Sequence, residues 1–381
     1  MMKNTIKKLF RHPLLLFICM IITGFSPIAH GIGQIVVAGQ INNKSVRLVF
    51  DSGSSDDIVL FADAERRLGL FQTSSGRSNE FNLVINELSF NGLSAQILPN
   101  TAPAGIDGLI GWNTLNKGVW TLDWQNGLLT TLPTLPEKVR AKPWSRTPID
   151  RNLPVASVML SNDSPDRVYV DTGSPIALAL GQQYWNQWRF GPPQQLTTIR
   201  SGFAPGVGMF TTAVGFSADF TLGPLSIRHI FIEKSIRNLP QLHAIIGLNA
   251  LSQFNLIIDQ DNDQIYWQAN ENAPTRQKNT LSNYNRLGAT FPPLSLNSSV
   301  LVGAVVADSP AFRFGLRSGD VLLRVNDFDM TKWRTDPAIA RAQFWQQAAG
   351  TKYKLVIKRK GEEKTIDVVL EDFLNADGST N

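Results

Sequence analysis

The chain has 381 residues, of which 43% are hydrophobic and 18% are charged, and this composition excludes a largely disordered protein. That length is too great for one ordinary hydrophobic core, so we expect two or three domains. The formal net charge is +5, and the single cysteine, Cys19, lies in an N-terminal leader, which excludes disulfides and thiol catalysis from the rest of the chain.

Residues 1–31 are predicted to be a secretory signal peptide. A basic start, an apolar run over residues 13–25 and the small residues Ala29 and Gly31 follow the pattern of a cleaved leader. Four basic residues of this leader account for most of the net charge, so the mature chain is nearly neutral and nothing favours nucleic-acid binding. We expect an exported, periplasmic monomer. The alternative is an uncleaved N-terminal segment that anchors the protein in the membrane.

An internal repeat organises the chain that follows the leader. VRLVFDSGSSDDIVL and RVYVDTGSPIALAL each place Asp-Ser/Thr-Gly-Ser between two apolar, strand-like runs. GIDGLIGWNTL follows the first motif and LHAIIGLNAL follows the second, and each is succeeded by a strand, an aspartate, a polar turn and another strand. Short strands separated by Gly and Asn turns predict a mainly β, bilobal body.

The repeat and the changes in composition divide the chain into seven predicted segments. In order, they are a signal peptide (1–31), a first lobe (32–130), an interlobe linker (131–150), a second lobe (151–268), a linker (269–284), a small domain of strands and helices (285–372) and a tail (373–381). The first linker is rich in proline, and both linkers are polar, which is typical of connections between domains.

The repeated aspartates, Asp51 and Asp171, are the candidate catalytic residues. Glycine after Asp-Ser/Thr permits a sharp turn, and two such turns from two copies of one lobe can face each other. Carboxylates about 3 Å apart cannot both ionise, so such a pair shares one proton. The ionised member can deprotonate a water while the protonated member hydrogen-bonds the scissile carbonyl, which hydrolyses a peptide bond without a metal or cofactor.

The motifs DSGS and DTGS, followed by LIG and IIG, resemble those of the pepsin and retropepsin family of aspartic proteases over about residues 32–268. The resemblance implies a bilobal acid-protease fold in which Asp51 and Asp171 form the catalytic dyad. It also implies a set of supporting residues around the dyad. These are Ser52, Gly53, Ser54, Thr172, Gly173 and Ser174 in the motifs, with Gly111 and Gly247 packed beneath the turns.

The hydroxyl groups of the motifs have separate implied roles. Those of Ser52 and Thr172 would hydrogen-bond the backbone of the opposite lobe, and those of Ser54 and Ser174 would hydrogen-bond the outer carboxylate oxygens. The family also covers its site with β-hairpin flaps. Residues 72–80, with a glycine at the tip, and the glycine-rich residues 201–210 are the candidates. One flap would resemble pepsin and two would resemble a retropepsin dimer fused into one chain, and the sequence leaves both open.

The C-terminal segment DSPAFRFGLRSGDVLLRVND, residues 308–327, resembles the PDZ domains appended to bacterial proteases. The resemblance implies that a loop of backbone amides captures the terminal carboxylate of a peptide, which adds as a strand beside a helix. It places that loop at Leu287, Gly288 and Ala289, and the helix at residues 336–349. The alternative is a PDZ-like domain used only for packing or assembly.

These features predict an aspartic endopeptidase with an acidic pH optimum, whose PDZ domain recruits peptide or protein substrates. A catalytically inactive, peptide-binding adaptor is the main alternative, and a protein that processes only itself is a third. No metal or cofactor is expected, because His229 and His243 lack metal-binding spacing. A Gly-x-Ser-x-Gly motif, which would favour a serine nucleophile, is missing from the sequence.

Overall fold

The structure is a computed structural model of the chain. It describes residues 35–86, 88–98, 105–115, 118–124, 128–132, 134–137, 139, 144–150, 157–159, 167–191, 194–204, 208–236, 242–270, 284–295 and 298–374. The predicted signal peptide, most of the second predicted linker and the tail beyond residue 374 lie outside these ranges.

Residues 35–150 form short strands and a helix. The strands are β1 (Val36–Ile41), β2 (Lys44–Asp51), β3 (Ile58–Phe61), β4 (Phe81–Ile85), β5 (Leu88–Leu93), β6 (Ala95–Leu98), β7 (Gly108–Gly111), β8 (Val119–Asp123), β9 (Leu128–Leu132) and β10 (Ser145–Pro148), and the helix is α1 (Ala62–Leu68). Alternation predicts the buried face of β4, where Phe81, Leu83 and Ile85 point inward. Helix α1 ends at Gly69, whose φ of 74° supplies the left-handed cap.

Residues 157–270 contain a second series of strands. These are β11 (Ser157–Met159), β12 (Arg167–Asp171), β13 (Leu178–Leu180), β14 (Thr197–Ala204), β15 (Gly208–Leu222), β16 (Leu225–Lys234), β17 (Leu242–Gly247), β18 (Phe254–Asp259) and β19 (Gln264–Ala269), with helices α2 (Gln182–Phe190) and α3 (Leu248–Leu251). Together with the first series they make the protein mainly β, as the sequence predicts.

Two large sheets contain these strands, and one pattern recurs in both. In the 12-stranded sheet the order includes β2-β7-β3-β6, and in the 7-stranded sheet it includes β12-β17-β13-β16. The strand directions agree as well: the first pair in each group is parallel, the second antiparallel and the third parallel. Asp51 is paired with Gly111, and Asp171 is paired with Gly247. The two motifs therefore occupy the same position in two equivalent arrangements.

The division of the strands between the sheets differs from the order of the repeat. Strands β18 and β19 follow the second motif in sequence, yet they belong to the 12-stranded sheet, where β18 pairs with β8. Strand β10 lies within the predicted linker 131–150 and pairs with β19 at the edge of the same sheet. Trp267 of β19 donates a buried hydrogen bond of 2.8 Å to Thr147 of β10. The linker is thus partly a strand, and a buried side-chain bond ties it to the second repeat.

Apolar side chains from both sheets form one continuous core. Phe50 and Trp120 from the first repeat belong to the same buried cluster as Val170, Ile246 and Trp267 from the second. Burial of large apolar side chains is the main stabilising term in folding. Because the cluster spans both sheets, it also fixes the position of one motif relative to the other.

Residues 284–374 form a smaller domain with its own core. Its strands are β20 (Ala289–Thr290), β21 (Leu301–Val302), β22 (Ala304–Val305), β23 (Val321–Val325), β24 (Phe328–Asp329), β25 (Lys352–Arg359) and β26 (Glu362–Val369), with helices α4 (Pro310–Arg313) and α5 (Pro337–Ala342) and 3-10 turns at Met330–Lys332 and Phe344–Gln346. The helix predicted over residues 336–349 is shorter than expected. It begins after Asp336, whose carboxylate accepts from the backbone N of Ala338, and it ends at Gln343, whose φ is 44°.

Within the ranges given above, none of the helices has the length and apolar character needed to cross a membrane.

Candidate active site

Asp51 and Asp171 stand at equivalent turns. Each ends a buried strand, β2 or β12, and each carboxylate accepts a hydrogen bond from the backbone N of the glycine two residues later. The distances are 3.0 Å from Gly53 N to Asp51 Oδ1 and 3.1 Å from Gly173 N to Asp171 Oδ1. These bonds set the direction in which each carboxyl group leaves its turn. Asp51 is 8% exposed, so its carboxyl group is largely removed from water.

The second residues of the motifs join the two turns through a reciprocal network. The backbone N of Ser52 donates to Thr172 Oγ1, and the backbone N of Thr172 donates to Ser52 Oγ, at 3.0 Å in both cases. In turn, Ser52 Oγ donates to Val170 O at 2.5 Å, and Thr172 Oγ1 donates to Phe50 O at 2.8 Å. Ser52 and Thr172 are fully buried. Each hydroxyl therefore accepts from the facing turn and donates to the strand that leads into that turn.

The motif glycines leave room for the opposing carboxyl groups. A Cβ atom added to Gly53 would lie 2.6 Å from Asp171 Cγ, and one added to Gly173 would lie 2.4 Å from Asp51 Cγ. Real Cβ atoms do not approach other atoms so closely. Each carboxyl group thus rests against the glycine of the other turn. The structure thus brings together two motifs whose equivalent residues are 120 positions apart in sequence.

Gly111 and Gly247 lie beneath the turns. A Cβ atom on Gly111 would approach Asp56 O to 1.8 Å, and one on Gly247 would approach Ile176 O to 2.5 Å, so neither position has room for a side chain. The residues after these glycines bond the fourth residues of the motifs. Trp112 N donates to Ser54 O at 3.3 Å, and Leu248 N donates to Ser174 O at 2.9 Å.

Ser54 and Ser174 are both buried at the ends of the two motifs. Ser54 Oγ accepts a hydrogen bond of 3.2 Å from the backbone N of Asp56. The expected bonds from these two hydroxyls to the outer carboxylate oxygens stay predictions. Asp56 adds a third carboxyl group near the first turn. Burial raises the pKa of Asp56, the nearby carboxylate of Asp57 raises it further, and Arg77 lowers it.

Hairpins form at both segments predicted to be flaps. In the first, Gln72 bridges Ser78, and Gly76 takes a φ of 80° in the intervening turn. In the second, β14 and β15 pair antiparallel from Thr197 and Gly215 to Ala204 and Gly208, and residues 205–207 of the predicted flap lie outside the described residues. Arg200 of β14 and Glu233 of β16 form a two-point ion pair at 2.6 and 2.7 Å near the base of that hairpin.

The predicted peptide loop of the C-terminal domain is buried and already hydrogen-bonded. All three of its residues, Leu287, Gly288 and Ala289, are buried. The backbone N atoms of Leu287 and Gly288 both donate to Asn285 Oδ1 at 3.0 Å. Gly288 has a φ of 73°, and a Cβ atom there would lie 2.3 Å from Ser309 Cβ, so the loop conformation requires glycine.

The 3-10 turn that follows helix α5 contacts the residues on either side of this loop. The carbonyl of Trp345 accepts from Arg286 N at 2.8 Å, and the Trp345 ring lies 5.8 Å from that of Phe291. The loop leads directly into strand β20. Comparison with known families decides the assignment: the family model described as the PDZ domain matches residues 285–370. These residues form a PDZ domain.

The PDZ domain is the part of the chain for which the comparisons find a family, and it covers less than half of the sequence. No curated protein matches the chain. PDZ domains bind peptides or proteins, so this finding supports peptide binding by residues 285–370.

Several contacts at these sites were missed from sequence. Asn113 and Asn249 occupy equivalent positions after the glycines beneath the turns, and their side chains donate to Ser55 O at 3.4 Å and to Pro175 O at 2.7 Å. The repeated Gly-x-Asn-x-Leu pattern contained the signal for this pair. The local sequence does not indicate the role of Asn285, because that role depends on contacts with the loop and with the distant Ile199. Within the described ranges, no three His, Cys, Asp or Glu residues are grouped so that they could hold a metal ion.

Proposed function

We propose that the chain is an aspartic endopeptidase with a bilobal, retropepsin-like body, in which Asp51 and Asp171 form the dyad. The observation that carries this proposal is the reciprocal bonding of Ser52 and Thr172, together with the placement of each carboxyl group against the opposite glycine. A pair of turns used only for structure has no need to bring two carboxyl groups together, because burying adjacent carboxylates is costly.

The proposed reaction follows from two carboxyl groups that share one proton. The ionised carboxylate takes a proton from a bound water, and the oxygen of that water attacks the peptide carbon. The protonated carboxyl group hydrogen-bonds the carbonyl oxygen and stabilises the charge that develops there. When the tetrahedral intermediate breaks down, a proton passes to the nitrogen of the leaving amine. The buried network of Ser52 and Thr172 keeps the carboxyl groups aligned through these steps.

In this proposal the PDZ domain brings peptide or protein substrates to the body of the enzyme. The body and the domain share a buried apolar contact, in which Tyr284 and Leu374 lie in one cluster with Val214, Phe216 and Phe231 of the 7-stranded sheet. A domain held in this way presents a bound peptide in a limited range of directions. We further propose that the protein is exported to the periplasm as a monomer, on the basis of the leader sequence.

A peptide-binding adaptor without catalytic activity is the second candidate. The family match supports peptide binding by residues 285–370 whether or not the dyad cleaves. The two candidates share the PDZ domain and differ only in the chemistry of the dyad, so a cleavage assay separates them.

The test is cleavage of a peptide library by the chain from residue 32 onward, measured across pH, with and without a pepstatin-type inhibitor. We expect an acidic optimum, inhibition, and loss of cleavage in Asp51→Asn and in Asp171→Asn. Asp63→Asn is the matched control, because Asp63 is an exposed residue of helix α1. Full activity in either dyad variant would overturn the mechanism. Binding of peptides without cleavage at any pH would favour the adaptor.

The third possibility, processing of the chain by itself, needs a different measurement. Intact mass of the purified wild-type chain is compared with that of Asp51→Asn after incubation at the optimal pH. A truncated product that forms only in the wild type would identify the chain as its own substrate.

A further inference from the structure

Asn285 occupies the place in the PDZ loop where the terminal carboxylate of a peptide is expected. Its Oδ1 atom accepts from the backbone N atoms of both Leu287 and Gly288. Two adjacent backbone amides that converge on one oxygen form a small anion-binding site. In this structure the oxygen belongs to the protein's own side chain, so the site is filled without a ligand.

The same side chain also holds strand β14 of the long hairpin. Asn285 Nδ2 donates to Ile199 O at 3.0 Å and to Ala289 O at 2.7 Å. One planar amide group therefore bonds the PDZ loop through its oxygen and the hairpin through its nitrogen. Any ligand that takes the two loop amides from Oδ1 must move this side chain, and movement of the side chain breaks the bond to the hairpin.

Two further hydrogen bonds join strand β14 of the hairpin to the PDZ domain. Thr198 Oγ1 donates to Asn285 O at 2.6 Å, and the hydroxyls of Ser201 and Thr290 are 2.7 Å apart. Strand β14 is the last strand in the order of its sheet. Strand β20, which contains Thr290, pairs with β22. The hairpin thus approaches β20 through side-chain bonds, at the strand beside which a peptide would add.

The remainder of the contact between the PDZ domain and the body is apolar and well buried. Tyr284 is 2% exposed, and its ring lies 6.3 Å from that of Phe231. Its hydroxyl accepts from Phe373 N at 2.9 Å and donates to Asp372 at 3.1 Å. Arg286 Nε donates to the same Asp372 carboxylate, and its guanidinium lies 4.7 Å from the centre of the Tyr284 ring, so these polar groups already bond one another. A ligand at the loop is therefore expected to loosen the hairpin and leave the PDZ domain attached.

We propose that Asn285 is an internal competitor for the PDZ loop, and that a peptide with a free C-terminal carboxylate displaces it and releases β14. Carboxylates form stronger hydrogen bonds to backbone amides than a neutral amide oxygen does, so the peptide can compete. The equilibrium between the closed and open loop lowers the apparent affinity of the wild-type chain. The effect of this release on cleavage rests on the proposed function, because the hairpin is a candidate flap. The competition for the loop does not rest on it.

The experiment measures peptide binding and hairpin protection separately, in the leaderless chain with Asp51→Asn so that no peptide is cleaved. The probe is a fluorescent pool of short peptides with randomised last residues and free carboxylates, and the same pool amidated at the C-terminus is its control. We expect the carboxylate pool to bind weakly to the chain that retains Asn285. It should bind at least about tenfold more tightly to the chain with Asn285→Ala. The amidated pool should bind neither.

Asn285→Asp distinguishes the role of the side-chain oxygen from that of the side-chain nitrogen. Its oxygen can still accept from the loop amides, and its negative charge repels a peptide carboxylate, so the carboxylate pool should bind more weakly than to the wild type. It cannot donate to Ile199, so hydrogen exchange in β14 should be fast without any peptide. In the chain with Asn285, the carboxylate pool should accelerate exchange in β14 and leave β16 unchanged.

Two results would overturn the proposal. One is equal affinity of the carboxylate pool for Asn285 and Asn285→Ala, or binding to neither, and the other is peptide binding that leaves exchange in β14 unaltered. If Asn285→Ala does not fold, the proposal is tested by peptide binding to Asn285→Asp and by hydrogen exchange in the chain that retains Asn285. Absence of cleavage by the chain with both dyad aspartates would refute the proposed function and leave these two readouts intact.

Discussion

Ser52 and Thr172 bond each other reciprocally and so join the two motif turns. Each uses its backbone N and its side-chain oxygen to bond the other, at 3.0 Å in both directions. Each hydroxyl also satisfies a buried carbonyl in the opposite strand. Loss of one hydroxyl would therefore leave both a donor and an acceptor without their partners.

We predict that Thr172→Val, which keeps the shape and removes the hydroxyl, lowers the free energy of unfolding by about 1–3 kcal/mol. Thr172→Ser is the matched control, because it keeps the hydroxyl and loses only a methyl group. Urea denaturation of the two variants beside the wild type measures the difference. Equal stability of the Val and Ser variants would show that the network contributes nothing.

The motif glycines give a prediction for activity. In Gly53→Ala the new methyl group would collide with the Asp171 carboxyl group, and in Gly173→Ala it would collide with that of Asp51. A displacement of about 1 Å at a reacting group lowers the rate on the order of 100-fold. We expect each variant to lose about this factor in kcat/KM while circular dichroism shows a folded chain. Near wild-type activity in either variant would contradict the placement of the carboxyl groups.

Asp56 gives a prediction for pH. Its pKa is raised from 3.8, chiefly by burial, so the folded state holds its proton at pH values where the unfolded state has lost it. This group therefore reduces stability progressively as the pH rises from about 3.8 through its folded pKa. Asp56→Asn should lose less stability across that window than the wild type. Denaturation in urea at several pH values measures this, and Asp63→Asn should retain the wild-type slope.

The PDZ domain contains an ion pair between the buried Asp320 and the partly exposed Arg359. The guanidinium donates to both carboxylate oxygens, at 2.6 and 2.7 Å, and it also donates to Gly315 O at 2.8 Å. The Asp320 side chain is 1% exposed, and its hydrogen bond raises the pKa of Arg359.

Asp320→Asn removes the charge-assisted bonds but leaves a partly exposed guanidinium that water can reach, so we predict that it destabilises this domain by less than the ~3–5 kcal/mol typical of a fully buried pair. Hydrogen exchange in β23, β25 and β26 of the full chain should accelerate markedly, while exchange in β12 and β17 stays the same. Arg359→Lys keeps the charge but cannot form the two-point contact, so it should give an intermediate loss. Unchanged protection in Asp320→Asn would contradict this account.

The sequence predicted the features that depend on local pattern. The repeated strand–Asp–turn unit predicted the mainly β class, and the family resemblance carried by the repeated motifs implied that Gly111 and Gly247 pack beneath the turns. Arg317, Gly319 and Asp320 lie in the stretch that indicated a PDZ domain, and the family match confirms that domain. Such signals survive because turns and strands impose residue types on short stretches of chain.

Features that depend on long-range pairing could not be predicted in this way. Nothing in the composition of β18 and β19 indicates that they join the sheet of the first repeat, because buried strands read alike in either sheet. Tyr284 and Leu374 were assigned to a linker and a tail, yet both lie in the apolar contact with the 7-stranded sheet. The role of Asn285 depends on Ile199, and only the folded chain brings the two residues together.

The pairing of β8 with β18 also affects how the protein comes to be folded. As the chain is translated, one edge of β8 lacks its partner, β18, which is synthesised only after nearly the whole second repeat. During that interval β8 can pair with β9 but its other edge is exposed, and such edges favour association with other chains. Because one edge of β8 lacks this partner until β18 is made, a truncated first repeat is expected to aggregate when it is produced alone.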